Sequence, residues 1–331
     1  MTVPMLRRRL QVFAPLLFAL GACRTASVHF GSVDSDRGAD SATDSADSSS
    51  DSTSDPGADS GGDSGTTGDP CGTIRALNGG DYAKICGSTF EMGCTPGQSD
   101  CQDDETQHTV TLTHDYWAAV REVTQRQFED QMGYNPSFFA RCNAEDSGCP
   151  VESLSWHEGA SYANALSAAA GLDACYSCSG AGEHVECSVL GTPYDCAGYR
   201  LPTEAEWEGA ARCGEDYPYA QSEADQPISW VAWYLDNSGS TIHAVGGKDA
   251  NTCGLQDMSG NVWEWALDAW DRADYPGDET DPFKSEGVDR VFRGGGWDSP
   301  PEYARVANRA GLAADDRDDN LGLRLVRSAG N

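Results

Sequence analysis

The chain has 331 residues and a formal net charge of −31, because 53 acidic side chains outnumber 22 basic ones. Such an acidic surface repels phosphates, so it argues against nucleic acid and anionic membrane surfaces as partners. The 13 cysteines are typical of an exported protein, since disulfides persist in an oxidising compartment.

The N-terminal residues 1–23 are typical of a bacterial lipoprotein signal peptide. Arg7–Arg9 precede a mostly apolar segment, 10–20, which is too short for a membrane-spanning helix of about 20 apolar residues. Small residues then lead to Cys23, as in a lipobox. We therefore expect export, lipidation of Cys23 and anchoring through that lipid to the bacterial cell envelope, at the outer membrane. The alternative is an ordinary cleaved signal with an incidental cysteine.

Residues 24–70 are predicted to form a disordered tether. Aspartate, serine, glycine and threonine dominate this segment, which carries ten aspartates between Asp34 and Asp69. A segment with so little apolar content cannot bury enough surface to offset the entropy lost on ordering. The remaining residues, 71–331, have the length of one globular domain.

The cysteines after Cys23 are even in number, which in an exported protein indicates a disulfide framework. We expect Cys94 and Cys101 to close one loop, and Cys142 and Cys149 another. A third group has spacing that would also suit a zinc knuckle, although its polar, loop-like context favours disulfides. Its members are Cys175, Cys178, Cys187 and Cys196.

Two short strands and three helices are predicted in chain order after residue 88. The strands cover 89–93 and 109–113, and the second alternates polar and apolar residues. Each helix begins at a capping residue, at Thr124, Ser155 and Thr203 respectively.

Each predicted helix also carries a capping-box partner three residues after its N-cap residue, at Gln127, Glu158 and Glu206. The apolar positions of the second helix should face the core, and so should those of the third. These positions are Ala160, Ala163, Leu166, Ala170, Trp207, Ala210 and Ala211. After Arg212 the helical period disappears and glycine-rich turns take over.

Several motifs follow one another in an unusual order along the chain: EVTQRQF, NPSFF, YRLPTEAEWE, GNVWEW, RVFRGGGW and NLGLRLVRS. In this order they resemble the formylglycine-generating enzyme / sulfatase-modifying factor family, over nearly all of the chain from Ile85 to Arg327. The resemblance implies an α+β, C-type-lectin-like fold with low regular secondary structure, stabilised by disulfides and calcium.

The resemblance also implies a calcium site in the segment DMSGNVWE. At the matching positions, the ligands would be the side chains of Asp257 and Glu264 and the carbonyls of Gly260 and Val262. Calcium binds a mixture of carboxylate and carbonyl oxygens. The alternative is that Glu264 pairs with an arginine such as Arg324 in a core network.

The resembled enzymes oxidise a substrate cysteine with copper(I) held by two cysteine thiolates. The positions of that pair are Ser299 and Ala304 in this chain. A hydroxyl and a methyl group cannot replace soft thiolates, so copper is not expected. A second enzymatic branch, which resembles iron-dependent sulfoxide synthases, needs a histidine cluster, whereas the histidines here are scattered singly.

The region after Arg290 supplies the candidates for a ligand-binding groove: Trp297, Asp298, Tyr303, Arg305, Arg309 and Arg324. Tryptophan, tyrosine and arginine are common in recognition surfaces. Arginines near a closing strand are, alternatively, structural partners of carboxylates, and the tryptophans of GNVWEW are predicted to lie in the core.

The sequence therefore predicts an exported lipoprotein whose domain acts as a binding or accessory module for an exported protein, a peptide or a glycan. Two alternatives stay open. One is a related oxidoreductase that modifies exported proteins with another metal or another substrate residue. The other is a structural component of the envelope.

Overall fold

The computed structural model describes residues 69–330, except 96, 99, 140–147, 222, 224 and 272–276. These residues belong to one compact unit, Gly65–Asn331. The predicted signal peptide, Cys23, Cys142 and nearly all of the tether lie outside the described residues. No helix in the described ranges has both the length and the apolar character that a bilayer crossing requires.

Short strands dominate the domain, and sixteen are described. In chain order they are β1 (Ile74–Leu77), β2 (Gly80–Ile85), β3 (Thr89–Met92), β4 (His108–Thr111), β5 (Tyr116–Ala119), β6 (Tyr176–Ser179), β7 (Glu186–Val189), β8 (Tyr199–Arg200), β9 (Ala232–Trp233), β10 (Ser259–Gly260), β11 (Trp263–Ala269), β12 (Glu279–Thr280), β13 (Asp289–Arg293), β14 (Arg309–Ala313), β15 (Leu321–Gly322) and β16 (Val326–Ser328).

The strands form two main sheets and three smaller ones. The first main sheet is antiparallel, with the order β1-β2-β5-β16-β8, so the last described strand, β16, lies between β5 and β8. The second has the order β14-β13-β11-β15, and β15 joins it in parallel. The smaller sheets are β12-β4-β3, β9-β10 and β6-β7.

Four α-helices are described: α1 (Gln125–Met132), α2 (Trp156–Ala169), α3 (Glu204–Arg212) and α4 (Ile228–Val231). The three predicted helices are confirmed, because Thr124, Ser155 and Thr203 are their N-caps and each forms a complete capping box. The strands predicted over 89–93 and 109–113 are confirmed as β3 and β4. The four-residue α4 was not predicted, since it is too short to show a helical period.

Three apolar clusters fill the interior of the described domain. The largest includes Trp156, Trp265 and Leu323, the second is built around Trp207 and Met258, and the third is much smaller. The predicted inward positions of α2 and α3 are buried, except that Ala170 is the half-buried C-cap of α2. The fold class expected from the motifs, α+β with low regular content, is confirmed.

Disulfides connect the irregular segments. The described pairs are Cys71–Cys86, Cys94–Cys101, Cys175–Cys196, Cys178–Cys187 and Cys213–Cys253. The predicted Cys94–Cys101 bridge is confirmed, and Cys149 is also disulfide-bonded. The group that could have formed a zinc knuckle forms two disulfides instead, so its sulfurs are not available to a metal.

Candidate functional site

The turn that precedes β11 is buried and contains Asp257 and Gly260 of the predicted calcium site. Asp257, Gly260 and Asn261 have positive φ values of 58°, 84° and 62°, which turn their backbone groups away from an extended path. Gly260 is required at its position, since a Cβ atom there would lie 2.3 Å from the carbonyl oxygen of Trp233.

Glu264 on β11 is fully buried, and its carboxylate is engaged by two side chains. Arg324 donates through Nη2 to Oε1 at 2.7 Å, and Trp207 donates through Nε1 to Oε2 at 2.7 Å. The core network with Arg324, which the sequence left open as the alternative to calcium ligation, is therefore formed. These donors make Glu264 a poor fit as a calcium ligand.

Asp257 differs from Glu264, because its Oδ1 is buried without a hydrogen-bond partner. Its Oδ2 accepts a hydrogen bond from the backbone N–H of Gly246. Burial raises the pKa of Asp257 to about 6. An unpartnered buried carboxylate oxygen is the kind of donor that a divalent cation binds. Asp257 therefore fits the predicted calcium site.

A third buried carboxylate, Glu122, lies beside this turn. It accepts hydrogen bonds from Asn261 Nδ2 at 2.8 Å and from the backbone N–H of Val262 at 3.2 Å. Burial, and then repulsion by Asp257 and by Glu264, raise its pKa well above the ordinary value. Sequence reasoning missed Glu122, although it begins the motif EVTQRQF. Three buried carboxyl groups thus share the charge of one buried guanidinium, that of Arg324, and a bound cation would relieve the repulsion among them.

The positions of the family's copper-binding pair carry no sulfur. Ser299 is buried, and its Oγ accepts a hydrogen bond from the backbone N–H of Gly296 at 3.0 Å. Ala304 is fully buried next to Gly295, where an added Cβ would lie 2.8 Å from its Cα. Every cysteine within the described ranges is in a disulfide. The side chains at these positions do not fit copper(I), which binds soft thiolates.

The structure corrects the placement of three predicted groove residues. Arg305, Arg309 and Arg324 are buried in ion pairs with carboxylates that come from distant parts of the chain. Arg305 pairs with Glu105 at 2.7 Å, and Arg309 pairs with Glu204 at 2.6 Å. These guanidiniums fasten loops to the core, and their burial keeps them from contacting a ligand at the surface. The motifs gave no signal for Glu105.

Of the three remaining groove candidates, two reach the surface at the end of the glycine-rich motif RVFRGGGW. Trp297 is half-buried and Asp298 is exposed. The Trp297 ring meets the Phe139 ring edge-to-face, with centroids 5.5 Å apart. Tyr303 is half-buried and packs against the largest core cluster. Trp297 forms an aromatic surface together with Phe138 and Phe139 of the motif NPSFF, and we call it the Trp297 face. The sequence did not single out these two phenylalanines as ligand-binding residues.

Comparisons with known proteins agree with this architecture. A family model described as the sulfatase-modifying factor enzyme 1-like domain matches residues 73–329. The chain is 32% identical over 246 residues to a Paenibacillus barcinonensis protein named Chaperone protein LppX, with 66% of this chain and 82% of that protein covered. In the solved structure of Treponema denticola variable protein 1, 29% identical, 98% of that chain and 77% of this one superpose with a TM-score of 0.66.

A mouse relative, named Inactive C-alpha-formylglycine-generating enzyme 2, is 34% identical over 163 residues. The match covers 44% of this chain and 49% of the mouse protein, so the chain spans about half of that relative's length. The family match extends over most of the chain and includes the turn at Asp257, the positions of the sulfur pair and the Trp297 face. This chain therefore belongs to the sulfatase-modifying factor, or formylglycine-generating enzyme-like, family.

Proposed function

We propose that this protein is an exported, lipid-anchored member of the family whose domain binds a partner and performs no copper oxidase chemistry. The observation that carries the proposal is the replacement of the sulfur pair by Ser299 and Ala304 in an otherwise complete scaffold. A binding role needs a shaped, preorganised surface, and the Trp297 face supplies one.

The names of two relatives support an accessory role. The Paenibacillus protein is named as a chaperone, and the mouse protein is named as inactive. Disulfides throughout the described domain agree with an oxidising, extracytoplasmic location. The competing hypothesis is an oxidoreductase that uses another metal or another substrate residue.

The first experiment measures copper(I) binding by the purified protein, together with conversion of a cysteine-containing peptide to its aldehyde, detected by mass spectrometry. We expect neither. The double variant Ser299→Cys Ala304→Cys restores the family's sulfur pair and serves as the control for copper binding. Stoichiometric copper in the natural protein, or aldehyde formation by it, would contradict the proposal, and bound iron would favour the competing hypothesis.

We further propose that Asp257 helps to hold a calcium ion, with the carbonyls of the turn that follows it. The unpartnered Oδ1 of Asp257 and the repulsion between Asp257 and Glu122, which a cation would relieve, support this site. Calcium should raise the melting temperature of the protein more than magnesium does, and Asp257→Asn should abolish the increase. The exposed Asp316, substituted in the same way, is the matched control. An equal calcium effect in both variants would exclude Asp257 as a ligand.

The lipid anchor is proposed from the sequence around Cys23, and it can be tested separately. Cells that express the chain should incorporate labelled fatty acid into it, and the protein should fractionate with the outer membrane. Cys23→Ala should lose both properties while the domain stays folded. Labelling that persists in this variant would place the lipid elsewhere or refute the lipobox interpretation.

A further inference from the structure

Three aromatic rings form a continuous strip at the Trp297 face. The Phe138 and Phe139 rings meet edge-to-face at 5.3 Å, and Phe139 contacts Trp297 in the same manner. Phe138 is 50% exposed, which is high for a phenylalanine. The strip therefore offers apolar surface to a partner from residues that are distant in sequence.

Carboxylates border this strip on the side of Trp297. Asp298 is the next residue and accepts a hydrogen bond from Asn320 Nδ2 at 2.9 Å, and the Trp297 Nε1–H donates to the backbone oxygen of Asp319 at 3.2 Å. Burial, and then repulsion from Asp319 and Asp298, raise the pKa of Asp318. Within the described ranges, neither Asp298 nor Asp318 forms an ion pair. We call these three rings and the aspartates at 298, 318 and 319 the Trp297 patch.

The Trp297 patch is held in place before any ligand binds. The backbone N–H of Trp297 donates to the carbonyl of Asn261 at 2.7 Å, and the hydroxyl of Ser238 donates to the carbonyl of Trp297 at 2.7 Å. The backbone N–H groups of Phe138 and Phe139 donate to the buried carboxylate of Glu152, at 3.0 Å and 2.9 Å. A preorganised surface loses little conformational entropy on binding.

We infer that the Trp297 patch binds a protein segment that carries a lysine or arginine side chain next to an apolar one. The cation would lie between the Trp297 ring and the aspartates, where it gains both a cation–π contact and charge neutralisation. The apolar side chain would cover Phe138. This inference rests on the proposed binding function and specifies the chemistry of its partner.

The charge of the patch disfavours anionic ligands and favours cationic ones. Anionic glycans and acidic peptides would bring like charges close to the aspartates. A neutral glycan could stack on Trp297 and donate hydrogen bonds to the carboxylates, but it would not neutralise their charge. A cationic segment matches both the rings and the charges.

The test compares two short fluorescent peptides that differ only in having lysine or glutamate beside phenylalanine. Binding to the full chain is followed by fluorescence anisotropy. We expect the lysine peptide to bind at least about tenfold more tightly, which is the order of one cation–π contact with its charge partners. Raising the salt concentration should weaken its binding. An arginine peptide should bind at least as well, since guanidinium stacks on aromatic rings.

Variants locate the interaction on the protein. Trp297→Ala and the exposed substitution Asp298→Asn should each weaken binding of the lysine peptide. Trp230→Ala and Asp316→Asn should not, although Trp230 is 57% exposed and Asp316 is exposed, because both residues lie outside the patch. Thermal melting confirms that the variants are folded, and Asp298→Asn keeps the test valid if Trp297→Ala unfolds.

Three results would overturn the inference: equal binding of the two peptides, no binding of either, or lysine-peptide binding that survives Asp298→Asn and Trp297→Ala. Preferential binding of a neutral glycan would also overturn it. None of these results affects the proposed absence of copper chemistry, which fails only if the natural protein binds copper or forms the aldehyde. The two proposals can therefore fail independently.

Discussion

Replacement of Arg324 by leucine tests whether the buried network at Glu264 stabilises the domain. Arg324 is 1% exposed, and it donates hydrogen bonds to Glu264 and to the carbonyls of Ala119 and Gln256, at 2.8 Å each. Leucine keeps the apolar contacts of the stem but removes every donor. The variant therefore leaves a buried carboxylate and two buried carbonyls without these partners.

The expected loss of stability is large. Breaking a buried ion pair by removing one partner costs about 3–5 kcal/mol. Each buried carbonyl that loses its donor lowers the free energy of unfolding by a further amount of about 1–3 kcal/mol. The total, about 5–11 kcal/mol, is comparable with the roughly 5–15 kcal/mol that separates a folded domain from its unfolded state. The variant should be largely unfolded at neutral pH.

The assay is equilibrium urea unfolding without reductant, so that the disulfides stay intact. Arg324→Lys should be intermediate, since it keeps the charge but loses the two-pronged contact. Adding Glu264→Gln to Arg324→Leu should recover part of the loss, because it removes the buried charge and keeps an acceptor for Trp207 Nε1. Calcium that stabilises Arg324→Leu more than it stabilises the natural protein would show that Glu264 can act as a cation ligand.

Two outcomes would refute this reasoning. A loss below about 1 kcal/mol in Arg324→Leu would show that the pair contributes no more than an exposed one. A double variant no more stable than the single one would show that the uncompensated carboxylate is not the cause of the loss.

Three further perturbations test other parts of the fold by the same unfolding assay. Gly311→Ala should cost about 1–3 kcal/mol, because the new Cβ would lie 1.9 Å from Trp270 Cγ and displace that ring; an unchanged tryptophan near-UV signal would contradict this. Removing the Cys213–Cys253 bridge, which closes a loop with a separation of 40 residues, should cost about 4 kcal/mol, and a negligible loss would show that the unfolded chain is constrained otherwise. Burial raises the pKa of Asp268 to about 7 from 3.8, so folding favours its neutral form and stability should fall as pH rises from 4 to 7; Asp268→Asn should flatten this slope, and an unchanged slope would refute the assignment.

The local signals of the sequence predicted the helices well. A capping box involves residues three positions apart, so the hydrogen bonds at Thr124, Ser155 and Thr203 need nothing from the rest of the chain. The Cys94–Cys101 bridge closes a short loop and was predictable for the same reason. The short helix α4 has no such signal, because four residues cannot show a period.

The family membership and fold class also followed from the motifs. Glycines stand in them where another segment of the chain comes too close to the backbone for a side chain to fit. Gly260 illustrates the reason: the carbonyl of Trp233 occupies the space that a side chain would need. Likewise, the absence of cysteine at positions 299 and 304 can be read from the sequence alone. The structure adds that every described cysteine is in a disulfide, so none of them offers a free thiolate in place of the missing pair.

The partners of the buried charges were decided only by the tertiary structure. Arg305 meets Glu105 across a separation of 200 residues, and Arg309 meets Glu204 across 105. In the sequence, each arginine could pair with any of many carboxylates. Only the folded chain decides which carboxylate is buried beside it. For the same reason, the Trp297 patch, built from loops that the sequence keeps far apart, became visible only in the folded domain.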